Sequence, residues 1–219
     1  MAITFKEKIK TAALLLKEPD ILNALISFRH SGYLKDTGWI NSYKKKQPVD
    51  AENNPLPWMT HSFIHFIANK LTKELSVFEY GSGNSTLYFA EKVKSVTSLE
   101  HNEEWFRKMK EKTPSNVALT FNKFPSDDYS MAITKSEKKF DIIIDDAMDR
   151  LNVIYNSYQS LTEQGVFILD DSEREEYNEG IEFLLNKKFR KLDFWGLAPG
   201  VLFDKCTSVF YKSHNCLGI

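Results

Sequence analysis

Two acids and a pair of glycines are spaced to hold one ligand. The segment Glu79-Tyr80-Gly81-Ser82-Gly83-Asn84-Ser85-Thr86 follows an apolar run and precedes an amphipathic one. Gly81 and Gly83 permit a tight turn and close backbone approach, and Ser85 or Thr86 can cap the helix that follows. Glu100 ends the next apolar run, 17 residues beyond Gly83. An acid there can accept hydrogen bonds from both hydroxyls of a ribose. A GxG turn alone is common in βα connections, so the coupling to Glu100 carries the signal. A dinucleotide needs a pyrophosphate site, usually GxGxxG. This chain has GxGxST, and Glu79 would repel phosphate at the turn. It favours a ligand bearing an amine or another cation.

A second set of carboxylates can do proton or metal chemistry. The runs FDIIIDD and GVFILDD end in Asp145-Asp146 and Asp170-Asp171. Either Asp145 or Asp146 can serve as base toward a hydroxyl or amine, and Asp145 is the candidate catalytic residue. Asp145, Asp170 and Asp171 end strands that should be neighbours. Three unpaired carboxylates so placed repel, and one pKa rises unless a cation intervenes. Mg²⁺ suits such oxygen ligands and would act as a Lewis acid toward a substrate oxygen. Arg150 or Arg174 can supply the charge instead. His61 and His65 are four residues apart on one helical face, but Ser62, Phe63 and Ile64 lie between them, so no HExxH glutamate is present.

The elements that must position these groups alternate. From residue 75, strands are expected at LSVFEY, SVTSLE, VALTFNKF, FDIIIDD, GVFILDD, KLDFWGL and TSVFYK. Helical patterns follow the first, second, fourth and fifth of these, and a loop with Pro199 and Gly200 joins the last two. This alternation predicts a Rossmann-like, doubly wound, mostly parallel seven-stranded α/β sheet with helices on both faces. Ligands bind beyond the carboxyl ends of such strands, where Glu79, Glu100 and the aspartates fall. Before residue 70 the chain is helical and loop-like. Phe5, Ile9, Ala12, Ala13 and Leu16 recur at helical spacing, Pro19 is expected to end that helix, and a later helix starts at Thr60. Residues 1–70 are expected to form an N-terminal helical extension that covers the cleft, with 71–219 as the ligand-binding domain.

Composition sets the outer bounds. The 219 residues carry a net charge of −1, so no basic surface points to nucleic acid. Residues 1–75 hold 11 Lys+Arg against 7 Asp+Glu, with Lys44, Lys45 and Lys46 as a solvated loop or a patch for an anionic substrate. No apolar run approaches the ~18–20 residues that span a bilayer, and no signal-peptide cleavage site follows the short run Ala12–Leu16. Cys206 and Cys216 read as free thiols in a reducing cytoplasm. The expected partner is a small molecule, with neither nucleic acid nor membrane, and oligomeric state is left open.

S-adenosylmethionine meets the turn's requirements: it has an ammonium, a sulfonium and no phosphate. EYGSGNST, SLEHNEEW, FDIIIDD and LTEQGVFILDD together resemble the class I S-adenosylmethionine-dependent methyltransferases over residues 75–212. The resemblance implies that Glu79, Gly81, Ser82, Gly83 and Ser85 hold the methionyl part, Glu100 the ribose, and His101 lies near the adenosine. It also places the loop Ser126-Asp127-Asp128 near adenine. IDDAMDR and LDDSE are similar to catechol-type O-methyltransferases, which implies Mg²⁺ on Asp145, Asp170 and Asp171. The chain departs from that pattern: Asp171 stands for Asn, and Met148 for a lysine. The implied activity is methyl transfer to oxygen of a small metabolite or saccharide. A nucleotide-dependent oxidoreductase and an inert S-adenosylmethionine-binding module are the alternatives.

Overall fold

A computed structural model describes residues 4–126 and 128–219. The N-terminal part contains α1 (Phe5–Leu15), α2 (Pro19–His30), α3 (Tyr33–Asp36), α4 (Trp39–Lys45) and α5 (His61–Ala68). Pro19 opens α2 rather than only closing α1. At the first helical position its missing N–H costs nothing and its fixed φ suits the helix. The sheet then builds through β1 (Ser76–Tyr80), α6 (Asn84–Lys92), β2 (Ser95–Glu100), α7 (Glu103–Lys110), β3 (Val117–Phe121) and β4 (Phe140–Asp145). It is completed by α8 (Arg150–Ser157), β5 (Leu161–Asp170), α9 (Asn178–Asn186), β6 (Arg190–Gly196) and β7 (Lys205–Tyr211).

The seven strands lie in the order β3-β2-β1-β4-β5-β7-β6. The first five in that order run parallel, while β7 is antiparallel to both β5 and β6. β5 begins four residues earlier than the apolar run GVFILDD indicates. Leu161 pairs with Phe140, and the register then shifts before Ile142 meets Val166.

Alternation along the strands divides the core into two layers. Val77, Ile142, Ile144, Val166, Ile168 and Val209 pack with Phe63 and Ile67 of α5 and Phe89 of α6. Phe78, Tyr80, Ile143, Phe167, Leu169 and Phe210 pack with Val153 and Ile154 of α8 and Leu184 of α9. Both faces are therefore covered, which explains the near-continuous apolar runs. Cys206 and Cys216 are free, and among the described residues no helix is long and apolar enough to cross a membrane.

The first 70 residues behave as two groups. α1 and α2 bury no residue. From Gly38 onward the chain is tied to the sheet. Trp39 Nε1 donates to Val201 O at 2.8 Å, Trp58 Nε1 to Pro199 O at 2.8 Å, and His61 N to Leu197 O at 2.9 Å. α5, capped by the Thr60 hydroxyl that accepts from Phe63 N, belongs to the core itself. Deleting residues 1–31 is therefore expected to lower the melting temperature by no more than about 4 °C. A larger fall, measured by calorimetry, would mean that these helices stabilise the sheet.

Candidate active site

The turn after β1 is fixed by three acceptors. Gly81 N donates to Leu99 O at 2.8 Å, which holds the turn against β2. Gly81 adopts φ +94, and a Cβ there would lie 3.0 Å from Asp146 O, so glycine lets the β1 and β4 ends meet. Thr86, rather than Ser85, closes the helix entrance. Its hydroxyl accepts from Gly83 N at 3.0 Å and donates to Glu79 Oε2 at 2.5 Å. Glu79 is 1% exposed. Burial raises its pKa to about 7, against the opposing hydrogen bonds of Ser85 and Thr86.

Glu100 organises the same turn from β2. Its Oε2 accepts from Ser82 N at 3.1 Å and from Ser82 Oγ at 2.6 Å. Its Oε1 accepts from His101 N at 2.9 Å and Asn102 N at 2.8 Å. A ribose diol would reach Glu100 by replacing the Ser82 hydroxyl. Beside it, three buried polar atoms have no hydrogen-bond partner among the described residues: His101 Nδ1, Tyr129 Oη and Asp145 Oδ2. The His101 and Tyr129 rings meet edge to face, centroids 6.3 Å apart. Such atoms need partners, which a bound polar heterocycle could supply; His101 Nδ1 already lies 3.4 Å from Glu100 Oε1. Asp127, in the loop read as an adenine contact, lies outside the described residues.

A cavity of about 250 Å³ opens at the turn, lined by Ser82–Ser85, Trp105, Asp146, Trp58 and Lys46–Pro48. The wall from the N-terminal part is bound to the turn, since Asn84 Nδ2 donates to Pro48 O at 2.7 Å. Trp105 Nε1 donates to Ser82 O at 2.7 Å. The buried acids, the glycine turn and the unpartnered atoms fit S-adenosylmethionine.

Asp145 does not face this cavity. It is fully buried on the α8 side of the sheet, and Oδ1 accepts from Ala147 N at 3.3 Å. Burial drives its pKa well above the ordinary carboxylate range. The correction follows from strand alternation: Asp145 takes the side of Ile143, and Asp146, one residue past the strand, turns into the cleft. Asp146, rather than Asp145, therefore joins Asp170 and Asp171, with one carboxylate oxygen of each within 4.8 Å of the others. Although 42% of its side chain reaches solvent, the Asp146 carboxyl sits in a recess between strand ends. Loss of water there, and next the Asp170 charge, push its pKa up to about 7 against Arg150 and Lys205.

These carboxylates already hold cations. Arg150 Nη2 lies 2.5 Å from Asp146 Oδ1 and 3.2 Å from Asp171 Oδ2, and Arg174 Nη2 is 2.6 Å from the same Asp171 oxygen. Lys205 Nζ is 2.7 Å from Asp170 Oδ2 and 2.7 Å from Asp171 Oδ1. The other Asp170 oxygen accepts from the Thr207 hydroxyl at 2.8 Å. Burial raises Asp170, opposed by Lys205; burial acts to raise Asp171 too, but Lys205, Arg150 and Arg174 outweigh it and hold Asp171 low. Mg²⁺ needs open carboxylate oxygens. On Asp170 and Asp171 every oxygen is engaged by a side chain, so these residues do not fit the expected ion. Met148 is exposed and outside the cluster.

His61 and His65 do not form a pair. His61 is buried, with its pKa lowered to about 4 by burial, whereas His65 points to solvent. Trp195 is exposed, while Phe194 packs against Phe63 and Phe66. Lys205, Gln47 and Pro48 were not legible as site residues, and Lys46 was legible only as part of a lysine patch for an anionic substrate. They reach the site through β7 reversal and through packing of a loop distant in sequence.

Compared with models of known protein families and with curated proteins, the chain matches none. Solved structures do match. A precorrin-6y C5,15-methyltransferase from Geobacter metallireducens is 14% identical, with TM-score 0.55, covering 78% of this chain and 96% of its own. An rRNA methylase from Streptococcus thermophilus is 14% identical, with TM-score 0.53, covering 70% and 97%. Aeropyrum pernix fibrillarin, crystallised with natively bound S-adenosyl-L-methionine, is 13% identical, with TM-score 0.52, covering 68% and 74%. What these proteins share with the present one, at such identities, is architecture: the chain has the Rossmann-like fold of the class I S-adenosylmethionine-dependent methyltransferases.

Proposed function

We propose that this chain is an S-adenosylmethionine-dependent methyltransferase that methylates a hydroxyl of a small molecule. The observation that carries the reading is the cavity in which the Ser82–Ser85 turn and the Asp146 carboxylate face one space. S-adenosylmethionine, when bound, supplies a methyl group on a sulfonium. Ionised Glu79, with the turn at Gly81–Gly83, would hold the ammonium end, and Glu100 the ribose. His101 and Tyr129 offer the unpartnered atoms for the adenosine. Asp146 accepts the proton of the acceptor hydroxyl, a task suited to a group titrating near neutrality. Alignment of the reacting groups supplies much of the rest.

Trp58 and the Lys46–Pro48 segment close the cavity from the N-terminal side, so within residues 1–70 the part from Gly38 onward contributes a wall while α1 and α2 do not, with residues 71–219 forming the cofactor-binding domain. Lys46 in the cavity wall supports an acceptor that also carries an anionic group. We place the reaction in the cytoplasm, away from membranes.

The test is calorimetry with S-adenosylhomocysteine at pH 6 and pH 8. Burial raises the Glu79 pKa to about 7, so the carboxylate needed by an ammonium is mostly protonated at pH 6. Binding is expected to tighten by up to about tenfold as pH rises across this interval. Glu79→Gln should bind more weakly and lose the pH dependence. Tighter binding of NAD than of S-adenosylhomocysteine would favour an oxidoreductase.

A further inference from the structure

We propose that Lys205 is a tethered cation, its ammonium taking the place of a divalent ion among Asp146, Asp170 and Asp171, so that the chain works without a metal there. The three donors of an ammonium meet three acceptors: Asp170 Oδ2 at 2.7 Å, Asp171 Oδ1 at 2.7 Å and Trp58 O at 3.1 Å. The side chain is buried, with 9% exposure, so water competes little. Around it Asp146, Asp170 and Asp171 are already met by Lys205, Arg150 and Arg174. An added divalent ion would have to break these contacts.

The position follows from topology. β7 runs antiparallel to β5 with Thr207 opposite Asp170. Lys205 is two residues earlier, on the same side of the strand, and so stands just past the end of β5. Thr207 engages Asp170 from that side too. Through the Trp58 carbonyl the same ammonium ties the acidic cluster to the cavity wall, which makes Lys205 a positioning residue for the site.

The proposal predicts that removing the ammonium creates a metal site. Mn²⁺ binding is measured by calorimetry and by electron paramagnetic resonance on the whole chain, wild type against Lys205→Ala. Wild type is expected to show no saturable site up to millimolar Mn²⁺. The variant should gain one site, at least tenfold tighter than anything wild type shows, and Mn²⁺ should raise its melting temperature but not that of wild type. A saturable wild-type site abolished by Asp170→Asn would overturn the proposal. So would a folded Lys205→Ala that gains no site. Should that variant not fold, Lys205→Met, which keeps the length, decides on the same readings. Failure of both to fold even with millimolar Mn²⁺ would count against replaceability and overturn it as well. The activity arm rests on the methyl-transfer reading: once an acceptor is in hand, wild-type turnover should be unchanged by chelator. If that reading fails, the Mn²⁺ titrations stand unaffected, so the two failures are distinguishable.

Discussion

Replacing Asp146 by Asn is expected to lower kcat by about 10²–10⁴-fold, the range for loss of a general base. Asn keeps the shape of the side chain and removes its capacity to take a proton. Arg150, which pairs with Asp146 at 2.5 Å, keeps Ala147 O at 2.6 Å and Asp171 Oδ2 at 3.2 Å, so the fold around the site should survive. The wild-type rate should rise with pH and level off above about 7, where the raised Asp146 pKa leaves the carboxylate ionised. That limb should vanish in Asp146→Asn. The measurement is single-turnover methyl transfer over pH 5.5 to 9, with cofactor binding checked separately. A variant within threefold of wild type that keeps the limb would remove Asp146 from the chemistry. No transfer by wild type to any hydroxyl acceptor, with cofactor bound, would instead favour an inert binding module.

Gly38→Ala is expected to destabilise the chain by roughly 2–5 kcal/mol, from overpacking and a left-handed backbone together. Gly38 has φ +76, and an added Cβ would lie 2.1 Å from the backbone carbon of Asp50. Neither segment yields easily. Ser42 Oγ donates to Val49 O at 2.8 Å and accepts from Val49 N at 2.9 Å, and Asn41 Nδ2 donates to Ala51 O at 3.0 Å. The damage should reach function, because α4 leads directly into the Lys46–Pro48 wall. Urea unfolding of wild type and variant gives the number. A difference below 1 kcal/mol would show that the loop moves aside without cost.

Periodicity made the sheet legible. Runs such as FDIIIDD and GVFILDD have no polar face because both faces are covered, and that pattern alone implies helices on either side. The meeting of Glu100 with the glycine turn was legible for a different reason, since a local motif fixes those neighbours. Three things were not. The choice between Asp145 and Asp146 depends on where β4 ends, and a one-residue difference sends a side chain to the opposite face. Lys205 lies 35 residues from Asp170 and meets it only because β7 is reversed. Gly38 reads as a loop breaker in sequence, and its close approach to Asp50 is a tertiary fact.

The reversed strand has a consequence for biosynthesis. β7 follows β6 in the chain but lies between β5 and β6 in the sheet. While the chain is being made, β6 therefore has no strand to join until β7 has emerged. Asp170 and Asp171 likewise wait, already synthesised, for a lysine that arrives 35 and 34 residues later. Closure of the sheet and the pairing of Lys205 with the acidic cluster are thus one event, deferred until β7 is made. A nascent chain stopped before Lys205 would carry the glycine turn but neither the seven-stranded sheet nor this pairing.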